Sequence, residues 1–414
     1  MSEMDPQRRR LLQGIAIVGA VLETPALCAA PARAGEWAKV RDAYPPQQPY
    51  MNLNNAAVSP APLVVQDAVA KAYRFANREP DVNMWDGLDA ALPGIKKKLA
   101  ALADCDVEEI AINRNSTEGL CTAISGIDLN AGDEVLLGEW DYASMRKAWN
   151  HRRLREGVVV RDIRYDLMDN DDAVVDAYAR AITPRTKVLH LTHMIHWTGR
   201  VLPVQRLCAM ARQHGILTVV DAAQTFAQMP LSFRKLDCDY LATSLHKWLC
   251  APLGTGMLIV KASRIDSTWP LLGPFDPEPL RIEKFDHWNL GTYCSPLETA
   301  IEPAIDFHNR LTTERKHARL RELSRYWVQR AADIEGFRIH TPMESPDLGA
   351  VTLFSIAGVE PERIEERLKS EYKIRVRVRR QSSLAGVRVS PHVYTLEHEL
   401  DAFVAALRRI ARKA

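Results

Sequence analysis

Short apolar runs alternate with stretches of helical period through the first two-thirds of the chain. The runs at 109–113, 134–138, 187–192, 217–220, 240–243 and 257–260 are brief and almost uninterrupted, the pattern of strands covered on both faces. Between them apolar positions recur at three- and four-residue spacing, as at 116–126 and 204–215, which predicts helices. Strands and helices in alternation predict an α/β fold with a mostly parallel, doubly wound sheet and ligand groups at the strand ends. From about Cys294 the pattern changes. A long charged helix is predicted to about Ile334, then three short strands near 350–356, 374–378 and 386–390, then a closing helix over 396–412. That reads as a second, smaller α+β domain at 294–414, after a large domain at 61–293 and an N-terminal segment at 35–60 whose stretch 44–49 is Pro-rich and extended. Within 374–380 the residues alternate, so Arg375, Arg377 and Arg379 share one strand face. That face reads either as a solvated edge or as a basic wall for a second substrate carboxylate.

Composition changes this picture little. The chain has 414 residues, 47% hydrophobic and 26% charged, with a formal net charge of +2. So near a balance gives no reason to expect a nucleic-acid or membrane-surface partner. The first 34 residues differ in kind. Arg8-Arg9-Arg10-Leu11-Leu12-Gln13 is a twin-arginine pattern, followed by a mildly apolar stretch over 14–30 that Glu23 and Pro25 interrupt, and then by Ala32-Arg33-Ala34, a small-x-small cleavage site. The expectation is a removable signal read by the twin-arginine translocase, a periplasmic enzyme and no membrane anchor once the signal is gone. Six Cys follow that segment, Cys105, Cys121, Cys208, Cys238, Cys250 and Cys294; none forms a CxxC pair, and no Cys/His cluster has metal-ligand spacing.

The chemistry concentrates between Val219 and Gly256. A short apolar run ends on Asp221-Ala222-Ala223-Gln224; Thr243-Ser244-Leu245-His246-Lys247-Trp248 follows, and then Gly254-Thr255-Gly256 leads into the next run. An Asp at a strand end and a Lys behind Ser-x-His fit pyridoxal 5'-phosphate (PLP) chemistry. Lys247 would hold the aldehyde as a Schiff base, and Asp221 would pair with the protonated pyridine nitrogen so that the ring accepts electrons. Ser244 and His246 flank the Lys closely enough to reach a phosphate. Arg114-Asn115-Ser116-Thr117-Glu118 follows a strand and opens a helix, where hydroxyls and backbone N–H groups form an anion site suited to the PLP phosphate.

These blocks resemble the class V aminotransferase group of fold-type I PLP enzymes, which includes cysteine desulfurases, kynureninases and isopenicillin-N-epimerase-like proteins. The resemblance spans roughly residues 40–412 and implies further roles. Ser116 and Thr117 would bind the phosphate, and Gln224 the phenolic oxygen. Tyr142 would stack on the pyridine face, a place taken by His in desulfurases. His196 lies three residues before Gly199 and would contact the phenolic oxygen or the substrate; His193 also matches a family position. Thr292 would reach the partner's phosphate across a homodimer interface, although the Arg-Phe-Glu usual before it is His287-Trp288-Asn289 here. Arg388, within Gly386-Val387-Arg388-Val389-Ser390-Pro391-His392, would clamp the substrate α-carboxylate, with Asn54 and Asn55 nearby. Residues 379–386, where desulfurases carry a nucleophilic Cys, contain none, which argues against persulfide transfer.

The expected enzyme is therefore an exported homodimer acting at the α-amino group of an amino acid or amino-acid-containing small molecule, with Lys247 moving the α-proton. The resemblance also extends to periplasmic PLP enzymes that modify the chromophore-linked glutamate of pyoverdine siderophores. A general aminotransferase or epimerase is the alternative, and a non-catalytic binding protein on the same fold is the rival from another class.

Overall fold

A computed structural model describes residues 34–46, 49–273, 281–286, 291–381 and 384–412. The twin-arginine stretch and the triplet at 287–289 lie outside the described residues. After a two-residue strand β1 (Met51–Asn52), the large domain contributes β2 (Ile110–Asn113), β3 (Glu134–Gly138), β4 (Val159–Ile163), β5 (Thr186–Thr192), β6 (Leu217–Asp221), β7 (Tyr240–Ser244) and β8 (Gly256–Val260). They form a seven-stranded sheet in the order β2-β8-β7-β6-β5-β3-β4. β8 runs antiparallel to both neighbours, and the other pairs are parallel. The predicted runs became strands because helices cover both faces; Val135, Leu136, Val219, Val220, Leu241 and Leu258 have no exposed surface.

One strand was not predicted. β4 is an edge strand whose apolar run Val158-Val159-Val160 is cut short by Arg161 and Asp162, and whose Val159 is 38% exposed. An edge faces water on one side, so its apolar run is shorter than those of the buried strands.

The C-terminal part holds β9 (Phe337–Ile339), β10 (Thr352–Ile356), β11 (Ile374–Arg375), β12 (Arg377–Gln381) and β13 (Leu384–Val389). A four-stranded antiparallel sheet runs β12-β13-β10-β9, while β11 leaves it to pair in parallel with β1. The strand predicted over 374–378 is thus split, and its first half ties the N-terminal segment to this domain. Trp327, Phe354 and Phe403 meet edge-to-face in the core behind the sheet, at centroid distances of 5.5 and 5.4 Å from the indole. The single long helix expected to about Ile334 is corrected to three: Ser295–Thr299, Ile301–Leu311 and Thr313–Ala331. The last break falls at Thr312, whose φ of 59° leaves the helical region and whose hydroxyl accepts from the Arg315 N–H as a new N-cap. The closing helix runs Glu397–Ala411.

Candidate active site

β6 and β7 are parallel neighbours, with Asp221 opposite Ala242, so their C-terminal ends open side by side. Asp221 ends β6. One carboxylate oxygen accepts the Ala223 N–H at 2.9 Å, and the group is 7% exposed. Burial raises its pKa and the positive charge of Lys247 opposes that shift. β7 ends at Ser244 and turns at once, with the Lys247 N–H donating to the Ser244 carbonyl at 3.3 Å. Lys247 is half-buried, and its pKa is lowered to about 8: burial is the main cause, Arg388 and Arg379 push the same way, and Asp221 pushes back. The predicted Asp–Lys pair is therefore one electrostatic unit.

Ser244 and Ser116, 128 residues apart, exchange two hydrogen bonds. The Ser116 N–H donates to the Ser244 hydroxyl, which donates to the Ser116 hydroxyl, each at 2.9 Å. The start of helix Ser116–Gly126 is thereby fixed to the end of β7. Asn115 caps that helix through the Glu118 N–H, and Thr117 sits half-buried at the same end. Gly256 permits the contact: a Cβ there would lie 2.5 Å from the Asn115 Cα. The His246 ring donates from Nδ1 to the Thr255 carbonyl at 3.0 Å, and burial lowers its pKa, with Lys247 adding to the effect.

Gln224 is engaged within the chain. Its amide donates to the Ala56 carbonyl and accepts from the Trp248 indole N–H, both at 2.9 Å, so one N–H remains for anything in the site. His193 is buried and hydrogen-bonded to the Thr225 hydroxyl at 3.1 Å, and burial holds it at about 4. The ring is neutral and serves to fix the segment after β5.

His196 sits on a tight turn closed by the Gly199 N–H to the Ile195 carbonyl at 2.8 Å. Gly199 has a φ of +73°, and a Cβ there would meet the Val351 carbonyl at 2.0 Å, so only glycine lets this turn pack on the small domain. The His196 ring stands edge-on to Tyr142, with centroids 5.1 Å apart and planes at 88°. Its Nδ1 is buried without a partner. Burial, then the charges of Arg388, Arg379 and Lys247, hold its pKa well below the ordinary value. Trp140, the other aromatic at the end of β3, faces the core and packs on Trp197 at 6.0 Å.

Arg388 lies on β13 and is 1% exposed. Its two terminal nitrogens donate to the His196 carbonyl at 2.9 Å and the Asn54 side-chain oxygen at 2.8 Å, and its Nε is buried without a partner. Asn54 thus holds the arginine. Asn55 does not reach the site: it is fully buried, donates to the Ser390 and Asn52 carbonyls, and accepts from the Asn52 amide and the Tyr394 hydroxyl. Its substrate-binding role gives way to a structural one. Thr292 is exposed at the start of the described segment 291–381.

Sequence reasoning passed over Asp141, which follows Trp140 directly. It accepts the Gly138 N–H at 2.9 Å and is raised to about 7 by burial, with Asp221 adding to the shift. A carboxylate between two aromatics at a strand end was the available signal.

A family model described as Aminotransferase class-V matches residues 51–403. The chain belongs to the class-V aminotransferase family. An isopenicillin N epimerase from Amycolatopsis lactamdurans is 31% identical over 400 residues, covering 91% of this chain and 99% of that protein. A second, from Streptomyces clavuligerus, is 28% identical and covers 90% and 98%. A probable cysteine desulfurase of Synechocystis sp. is 25% identical over 88% and 91%. Among solved structures, the apo cysteine desulfurase of Thermococcus onnurineus NA1 superposes with a TM-score of 0.81 at 20% identity, covering 93% and 100%; this likeness shows the fold, fold-type I. Class-V enzymes use PLP, and this one is a PLP-dependent enzyme. The residues fit the cofactor. A buried carboxylate and a depressed lysine face each other at adjoining strand ends, and a hydroxyl pair meets a helix N-terminus beside them.

Proposed function

We propose that this class-V enzyme works outside the cytoplasm on the α-amino group of an amino-acid moiety, free or built into a larger small molecule. The observation that carries the reading is that Lys247, just past the end of β7, feels both Asp221 at the end of the adjoining β6 and Arg388 from β13. When bound, PLP supplies the electron sink for the bond broken at the substrate α-carbon. Asp221, buried at the end of β6, is the group to hold a proton on the pyridine nitrogen. Lys247, its pKa lowered to about 8, gives up its proton far more readily than an ordinary lysine and serves as the base and acid at the α-carbon. Arg388, oriented by Asn54 and His196, presents its free Nε to the α-carboxylate. Tyr142 and His196 form one wall of the site.

Similarity to isopenicillin N epimerases and the twin-arginine leader support a substrate such as the glutamyl group of a pyoverdine precursor, which offers a free α-amine and α-carboxylate. The absence of Cys from 379–386 speaks against desulfuration. In D2O the enzyme should place deuterium on the α-carbon of its substrate, read by mass spectrometry over a panel of amino acids and siderophore precursors, and Lys247→Ala should abolish the exchange. No exchange with any α-amino compound would overturn the proposal.

A further inference from the structure

The arginines of the 374–380 stretch are not equivalent. Arg375 lies over the Tyr50 ring at 4.3 Å, Arg377 pairs with Glu365 at 3.9 Å, and Arg380 pairs with Glu360 and Glu362 at 2.8 Å. Each has a counterpart at the surface. Arg379 has none: it is half-buried, its Nε is enclosed without a hydrogen-bond partner, and no carboxylate among the described residues lies within ion-pair distance.

Register shows which way this arginine faces. β12 and β13 are antiparallel, with Arg377 opposite Arg388 and Arg379 opposite Gly386. Directly opposed residues share a face, and so do residues two apart on a strand, so Arg379 projects on the same face as Arg388, one diagonal away. Diagonal neighbours lie roughly 7–8 Å apart, within reach of long side chains. The next residue, Gln381, donates to the Glu139 carbonyl at 3.0 Å, which draws β12 against the loop that carries Tyr142.

Arg379 therefore borders the space enclosed by Lys247, His196, Tyr142 and Arg388, and its charge is felt there, lowering the pKa of His196, Lys247 and Arg388. Two guanidinium groups therefore share this face, each with a buried, unpartnered Nε, and among the described residues no carboxylate pairs with either. Drawing a guanidinium out of water without a counter-charge is unfavourable, and a bound anion would offset that cost. The Arg388 side chain is already held by Asn54 and the His196 carbonyl, and Arg379 feels Glu365 only at a distance, without a direct ion pair.

We infer that Arg379 binds a second carboxylate, carried by the side chain or the distal portion of the substrate, and so makes the enzyme selective for acidic amino-acid moieties. The inference rests on the reading that the site accepts an α-amino acid.

The test is a spectral titration of PLP-loaded enzyme with L-glutamate and L-2-aminoadipate, each against its neutral counterpart (L-glutamine for the first, L-norleucine for the second). The wild-type protein should bind the acids roughly 10- to 100-fold more tightly than the neutral compounds, as a charged hydrogen-bonded contact predicts. R379Q should collapse that ratio through lost binding of the acids, and R379K, which keeps the charge without the planar fork, should retain part of it. Equal wild-type affinity for acids and neutral compounds would overturn the inference and leave the amino-acid reading standing. So would an R379Q variant that weakens both classes by the same factor, because Arg379 and Arg388 would then share one α-carboxylate. If no amino acid of either class perturbs the cofactor spectrum, the site does not accept an α-amino acid, the reading on which the inference rests, and the inference fails with it.

Discussion

At the scale of single residues, Lys247 is governed by three forces: burial removes water from its ammonium, Arg388 and Arg379 repel it, and Asp221 attracts it. The first two prevail and bring it to about 8 from the ordinary 10.5. A lowered lysine pKa means that the folded state favours the neutral amine. The cost of holding the ammonium is full below about pH 8 and is relieved as pH rises toward 10.5, the unfolded value. A neutral amine is the form that attacks an aldehyde. The rate at which cofactor-free protein captures PLP, followed by absorbance, should therefore rise with a midpoint near 8; a midpoint near 10.5 would show a lysine that feels neither burial nor the arginines. Lys247 and Asp221 could be found from sequence because Asp221 ends one buried strand and Lys247 lies three residues past the end of the next, in a recognisable local spacing. Gln224 and Asn55 could be placed but not interpreted. Their partners, Ala56 with Trp248 and Ser390 with Tyr394, depend on contacts that span up to 339 residues of chain. The same holds for Arg379, which local alternation put on a face without showing that Arg375 stacks on Tyr50 and that Arg377 and Arg380 pair with surface carboxylates while it does not.

At the scale of elements, what was legible follows burial. Strands covered on both faces carried continuous apolar runs and were read to within a residue or two, whereas the run of the edge strand β4 is broken after Val160 by Arg161 and Asp162 and was not read. The helical region after Cys294 has one charge pattern throughout, so its breaks at Ala300 and Thr312 left no periodic trace. The link between the two parts of the molecule was also hidden, because β1 and β11 are only two residues each. Asn55 closes that link next to the bridge between Asn54 and Ser390. Asn55→Ala would leave the Tyr394 hydroxyl and the Ser390 carbonyl short of a partner in a dry environment, at a cost of about 1–3 kcal/mol. The loop holding Asn54 against Arg388 would loosen with it. A lower urea midpoint with an unchanged slope is the expected result; an unaltered midpoint would show that the loop is held by other contacts.

At the scale of the whole molecule, the site is a junction. The large sheet brings Asp221 and Lys247 to the ends of adjoining parallel strands, the helix start at Ser116 meets them, and the small sheet delivers Arg388 and Arg379. Lys247 thus has reactive surroundings only because both domains are in place. The exposed Thr292 fits the proposal that a second copy of the chain completes the phosphate end. The central claim is that all of this converges on one nitrogen. Borohydride reduction of the yellow PLP-loaded protein, followed by proteolysis and mass spectrometry, should leave a phosphopyridoxyl group on the peptide containing Lys247 and on no other lysine. A label on a different lysine, or none on a protein that holds PLP, would contradict the account.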